Sequence, residues 1–256
     1  MKILVVGDVV GKPGREAIHE LVPEIRKKYK VDMAIANGEN TAGGVGITQA
    51  TSEDLLGAEI DVITTGNHVW RRKEVIPYLD GNAPIIRPLN YPPGLAGRGY
   101  ITIGQVMIVN LVGRIFMHNY DCPFRAMDKL LQELKPRPKI IIVDFHAEAT
   151  SEKVAMGWHL DGRVSAVLGT HTHVGTVDTR MLPNGTAYIT DIGMVGPMDS
   201  VIGASKEAAL TSFLTAMPFN ASVGKGDVVF NSVLLEVAED TGLATSIIRI
   251  DKEMKR

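Results

Sequence analysis

One cysteine, two tryptophans and 5% aromatic residues in 256 positions leave out several kinds of protein at once. The lone thiol, Cys122, can form neither an intramolecular disulfide nor a cysteine-rich zinc site, and it suits a reducing compartment, the cytoplasm. Charge of one sign is also lacking. The 27 basic and 29 acidic residues leave a formal net charge of -2 and are scattered rather than blocked. Such a chain has no electrostatic footprint for a nucleic-acid polymer or an anionic membrane. Long apolar runs are missing too: the stretch MKILVVGDVVGK is too short in its apolar part for a secretory core or a membrane span. There is no internal repeat, low-complexity tract or linker. With 45% hydrophobic residues the chain can bury a full core, and residues 1–256 are expected to form one domain.

What is present is a series of short β-branched runs alternating with helical patterns, the mark of an α/β protein. Ile3 to Val6 reads as a strand buried on both faces, and Ile18, Leu21, Val22 and Ile25 keep helical spacing up to the basic segment Arg26 to Lys30. Met33 to Ala36, a helix near Ser52 to Ile60, and Val62 to Thr65 repeat the unit. The proline- and glycine-rich stretch Ile86 to Arg98 predicts a loop, followed by a hairpin of Tyr100 to Ile103 and Val106 to Leu111. Helices are expected over Pro123 to Leu134 and Ser151 to Leu160, and strands over Ile140 to Phe145 and Val164 to Leu168. Thr179 to Leu182 and Ala187 to Thr190 predict a second hairpin; Val228 to Val237 and Ala244 to Ile250 read as the alternating strands of the tail.

The residues just past the strand ends carry the chemistry, because ligands in open α/β sheets bind outside the carboxyl ends of strands. They are Asp8, Glu39 with Asn40, Asn67 with His68, His146, and His171 with His173. The last two stand one residue apart, a spacing that in an extended chain turns both imidazoles to one face. Singly, an Asp or Asn here is more often a turn residue or a cap, and a single His more often a satisfied surface or core residue. Five strand ends in succession carrying oxygen or imidazole donors are more than folding requires. Carboxylate, amide and imidazole without thiolate favour Mn, Fe or Zn, and the donor count is too large for one tetrahedral ion. A dinuclear site is implied, with Glu39 able to bridge, Asp8 and one His on one ion, and Asn67 with two His on the other. Such a pair generates hydroxide near neutral pH and clamps the oxygens of an in-line displacement at phosphorus.

Asp8, Gly66-Asn67-His68, His146 and the run Gly169 to His173 resemble the ordered motifs of the calcineurin-like metallophosphoesterases. GDVVGKPGR, NGEN, TGNHVW, DFHAEATSEK, GTHTHV and TDIGMVGPMDSVIG resemble the bacterial YmdB-type subfamily nearly end to end. The chain departs from the wider superfamily at Val10, where a second ligand His is usual, at Glu39, which replaces a bridging Asp, and at Val69, where an acid is common. The resemblance implies a four-layer α-β-β-α sandwich, two mixed sheets flanked by helices, and hydrolysis of phosphodiesters including 2',3'-cyclic nucleotides. It also implies a homo-oligomer and two transition-metal ions per chain, Fe or Mn ahead of Zn. Carried over, Asp8, Glu39, Asn40 and His173 hold one ion and Glu39, Asn67, His146 and His171 the other. His68 is then the catalytic non-ligand, placed to stabilise phosphoryl oxygens or protonate the leaving alkoxide, work suited to imidazole.

Two other readings stand beside this one: a phosphomonoesterase using the same metals with a different outer pocket, and a regulatory protein that binds a phosphorylated ligand without turning it over. His19, His118 and His159 lie outside the series and are expected to be solvated, and Cys122 to be a packed thiol. Trp70 and Arg71 read as a base-binding rim or as packing. The glycine-rich segment Asp191 to Gly203 reads as part of the pocket or of a subunit contact.

Overall fold

The computed structural model describes residues 1–218 and 222–256. The chain opens with β1 (Lys2–Val9), α1 (Gly11–Tyr29), β2 (Met33–Asn37), α2 (Gln49–Gly57) and β3 (Val62–Thr64), then a single turn, α3 (Ile76–Leu79). The hairpin β4 (Tyr100–Ile103) and β5 (Val106–Val112) leads to α4 (Pro123–Glu133), β6 (Ile140–His146), α5 (Thr150–Leu160) and β7 (Ala166–Thr170). The second hairpin, β8 (Arg180–Met181) and β9 (Ala187–Ile189), precedes β10 (Met194–Ala204) and α6 (Lys206–Thr215). Four strands close the chain: β11 (Val223–Phe230), β12 (Ser232–Val237), β13 (Ala244–Arg249) and β14 (Lys252–Met254).

Two mixed sheets result. In the first, β1, β2 and β3 run parallel, while the other edge of β1 is shared: Lys2 to Val6 pair antiparallel with β12, and Asp8 and Val9 pair parallel with β10. In the second, the order is β4-β5-β6-β7-β9-β8, with β5, β6, β7 and β9 parallel. All strand carboxyl ends that matter for the site therefore open at the same end of each sheet.

Side-chain alternation builds the layers. Leu4 and Val6 of β1 pack with Ile18, Val22 and Ile25 of α1 and Leu55 of α2, whereas Ile3 and Val5 join Ile140 and Ile142 of β6 between the sheets. On β6 the opposite set, Ile141 and Val143, meets Met127 and Leu131 of α4 and Met156 and Leu160 of α5. Both faces of both central strands are covered, which is why their sequences are continuous apolar runs instead of alternating ones. Each such side chain contributes about 1.5–3 kcal/mol on burial. Helix, sheet, sheet and helix form the four expected layers. Among the described residues no helix is long and apolar enough to cross a membrane.

Some elements differ from the sequence expectation. The tail run does not form one strand: it breaks at Asn231, whose N–H bonds Met194 O, so that β11 pairs with β10 and β12 with β1. The segment Asp191 to Gly203 supplies β10, a strand with register shifts after Pro197 and Asp199 that hide its period. The helix α1 starts at Gly11, a turn or more before the apolar spacing begins.

Candidate metal centre

Gly66 fixes how close β3 approaches its neighbours. A Cβ there would lie 2.3 Å from His146 Cδ2 and 2.4 Å from Glu39 Oε2, so only glycine lets the Asn67-His68 turn sit over the buried Glu39 carboxylate. Asn67 Oδ1 reaches His146 Nε2 at 3.1 Å, and the His68 N–H donates to Glu39 Oε2 at 3.0 Å. Asp8, Glu39, Asn40 and His146 are all buried. The eight residues singled out in the sequence come together from both sheets.

The pair His171 and His173 corrects the extended geometry expected for them. The strand stops at Thr170, and both histidines lie in left-handed backbone, with φ of 102° and 65°. Their rings part: His171 turns to His146, Nδ1 to Nε2 at 3.0 Å, and His173 turns to Asn40 and Asp8, with Nε2 3.1 Å from Asn40 Nδ2 and 3.7 Å from Asp8 Oδ1. Non-glycine residues at positive φ cost on the order of 1–3 kcal/mol and persist where surrounding structure over-determines them. Here a buried ion pair does so. Lys153 Nζ meets Asp191 Oδ2 at 2.6 Å, and the same oxygen accepts the Thr172 N–H at 3.1 Å and the Thr172 hydroxyl at 2.8 Å, pinning the residue between the histidines.

Each of the three histidines offers one nitrogen inward and holds the other on an oxygen acceptor. His146 Nδ1 meets the Thr170 hydroxyl at 2.9 Å, and that hydroxyl donates to Asp144 Oδ1 at 2.6 Å. His173 Nδ1 meets Ile202 O at 2.7 Å, and His171 Nε2 meets Glu148 Oε2 at 3.1 Å. These outward bonds leave Nε2 of His146 and His173 and Nδ1 of His171 turned toward the centre. Glu39, His146 and His171 bring ligand atoms within 4.8 Å of one another, and Asp8 Oδ1, fully buried beside them, has no hydrogen-bond partner among the described residues. Converging ligand atoms and such a carboxylate oxygen suit a cation. The donor set therefore fits the metal ions that the sequence pattern implies.

The charges respond to this crowding. Burial lifts Asp8 to about 6 against the pull of His173 and His146. Burial also acts to raise Glu39, but His146 and His68 overcome it and hold the carboxyl well below its usual range. His146 shows the reverse: burial opposes its charge, yet Glu39, Asp8 and Asp144 push it up to about 9. His171 is pushed down to about 3, by burial first and then by its charged neighbour His146.

A cavity of about 290 Å³ opens over these atoms, lined in part by Glu39, Asn40, His68, Glu148, His171 and His173, with Ile202 to Ala204 and Val223 at the rim. No lysine or arginine lines it among the described residues. Val10 also lines it, where a ligand His would stand in the wider superfamily. His68 Nδ1 meets Asn40 Oδ1 at 3.1 Å, and its Nε2 has no partner among the described residues. Trp70 packs on Tyr91 at 4.6 Å between ring centroids and is absent from the described lining, which favours packing over a base-binding rim. His19 and His159 pair with Asp54 and Asp128, and His118 is exposed. Cys122 is partly exposed at the start of α4. Glu148, Thr170, Asp144 and the Lys153–Asp191 pair were not among the sequence candidates. Glu148 alone left a signal, as a carboxylate two positions past a strand-end histidine.

Two sheets packed face to face between helices, with oxygen and imidazole donors gathered at their strand ends, define a metallophosphoesterase-type protein. Residues 4–250 match the family model described as YmdB-like protein, and the chain belongs to that family. It is 44% identical to the 2',3'-cyclic-nucleotide 2'-phosphodiesterase of Bacillus subtilis strain 168, over 98% of this chain and 96% of the relative. A crystal structure of a hypothetical protein from Thermus thermophilus superimposes with a TM-score of 0.93 at 43% identity, covering 99% of this chain and 100% of that one. A crystal structure described as a novel phosphatase from Mycoplasma pneumoniae gives 0.93 at 35% identity, over 100% of this chain and 94% of the other.

Proposed function

We propose that this chain is a metal-dependent phosphoric diester hydrolase that opens 2',3'-cyclic nucleotides. The observation that carries the reading is the convergence of ligand atoms from Glu39, His146 and His171 beside the buried Asp8 Oδ1, with Asn67 and His173 in reach of them, next to a cavity that no lysine or arginine lines among the described residues. Asp8, Glu39, Asn40 and His173 would hold one ion, Glu39, Asn67, His146 and His171 the other, with iron or manganese ahead of zinc for this donor set. When bound, such ions bring the pKa of water toward neutrality and neutralise charge growing on phosphoryl oxygens. His68 needs neither ion: with Nδ1 held by Asn40 and Glu39, its Nε2 would be the acid-base atom left to meet the leaving ribose oxygen.

That no lysine or arginine lines the cavity among the described residues bears on substrate. A phosphomonoester brings up to two negative charges and usually calls for an Arg or Lys clamp, whereas a diester brings one. The half-exposed Glu148 carboxylate inside the cavity weighs further against a dianion. The five-membered cyclic diester is strained and needs little recognition of its base. The cytoplasm is the setting that the cysteine usage favours, and the exposed Phe213 and Leu214 of α6 favour a homo-oligomer. The test is one metal-loaded preparation assayed for kcat/KM on 2',3'-cyclic AMP, bis-p-nitrophenyl phosphate and p-nitrophenyl phosphate. Both diesters should exceed the monoester. A faster monoester would make the chain a phosphomonoesterase, and no turnover of any would favour a binding protein.

A further inference from the structure

Three histidines turn an inner nitrogen to the centre, and their outer partners are of three kinds. His146 rests on the Thr170 hydroxyl, itself tied to buried Asp144, and His173 on the backbone carbonyl of Ile202; both supports are part of the framework. His171 rests on Glu148 Oε2 at 3.1 Å, a side chain about half exposed, in the turn between His146 at the end of β6 and Thr150 at the start of α5. We propose that Glu148 is a positioning residue: it accepts the His171 Nε2–H, fixes the tautomer that leaves Nδ1 free, and so sets how tightly the Glu39–Asn67–His146–His171 half of the centre holds its ion.

The backbone makes this support necessary. His171 lies past the end of its strand at a φ of 102°, where no ladder hydrogen bond orients the ring, and its N–H goes to Asp8 Oδ2 at 3.0 Å. The ring's own bonds are the one to Glu148 and the inward contact with His146 at 3.0 Å. Without the carboxylate, either nitrogen can carry the proton, and a proton on Nδ1 points straight at His146 Nε2. A carboxylate on the outer nitrogen of a ligating imidazole also raises its basicity, and removing such partners costs about 10- to 100-fold in metal affinity or activity. Glu148 is reached by solvent and lines the cavity, so a substrate can touch this support without unfolding the site.

The inference rests on the metal-dependent reading, and the experiment separates the two. Wild type, Glu148→Gln and Glu148→Ala are compared by chelator-competition titration with manganese and, metal-free, by ¹⁵N spectra of the histidine rings. Wild type should bind two ions and show His171 as the Nε2–H tautomer. Glu148→Ala should mix the tautomers and bind one of its two ions about 10- to 100-fold more weakly. Glu148→Gln, which keeps an acceptor oxygen, should restore the tautomer and most of the affinity. Two ions in wild type with unchanged affinity and tautomer in Glu148→Ala overturn the positioning role alone. Loss of both ions with altered backbone spectra throughout the site would show a structural role and overturn it as well. No binding in wild type overturns the metal-dependent reading, and this inference with it.

Discussion

Glu39 touches more of the centre than any other carboxylate. Oε1 lies 3.0 Å from His146 Nε2, 3.3 Å from His68 Nδ1 and 3.3 Å from Asn40 Nδ2, while Oε2 takes the His68 N–H. Asp8 faces one side, toward His173 and the His171 N–H. Glu39→Gln should therefore release both ions and Asp8→Asn mainly one, read by elemental analysis after manganese reconstitution; equal loss in the two variants would remove Glu39 as the bridge. His68 differs from its neighbours in having one nitrogen left over for the cavity. For His68→Ala, both ions should remain while kcat falls by roughly 100- to 10,000-fold, the usual contribution of one acid-base group. A metal-depleted variant would make His68 a ligand instead.

At the scale of elements, the central strands were readable because burial on both faces writes itself as uninterrupted apolar sequence. Leu4 and Val6 face helices, Ile3 and Val5 face the other sheet, and both surroundings are apolar. The strand ends were readable for the converse reason, since a buried Asp8 or His146 closing such a run has no packing role to explain it. The weaker elements lacked that contrast. β10 carries glycine and proline and shifts register twice, and α6 buries only Ala209. The directions of His171 and His173 were unreadable because they depend on φ angles that Asp191 and Lys153 impose from distant parts of the chain. Glu148 was missed because its meaning comes from a ring turned toward it by that same strained turn. The ion pair makes a prediction at this scale: both side chains are 1% exposed, so Lys153→Met leaves Asp191 buried and uncompensated. Denaturant unfolding of the metal-free variant should show a loss of about 3–5 kcal/mol. A loss under about 1 kcal/mol would mean the turn is held by other means.

The centre takes Asp8, Glu39, Asn40, Asn67 and His68 from the first sheet's connections and His146, His171 and His173 from the second's, so whatever binds there ties the two sheets together at one end. A ligand that binds only the folded chain stabilises it by mass action, about 2.7 kcal/mol at a hundred times its Kd. For a chain of this length, about 1 kcal/mol moves Tm by about 2–4 °C, so a chelator should lower Tm by roughly 5–10 °C per ion lost. The pH dependence follows from His146. Its folded pKa is raised to about 9 from an ordinary 6.5, so in the metal-free protein it contributes stability that is full below 6.5 and is lost as pH rises through 9. An ion needs the same nitrogen deprotonated, and loading must expel that proton. Raising pH across this window thus weakens the metal-free state by the same free energy that metal entry no longer has to spend on expelling the proton, and this widens the gap between the two melting points. Scanning calorimetry at about pH 6.5 and about pH 8.5, with manganese and with chelator, should give the larger separation at the higher pH. A separation that stays constant or shrinks would mean that His146 carries no proton in the metal-free protein, or that it does not meet the ion.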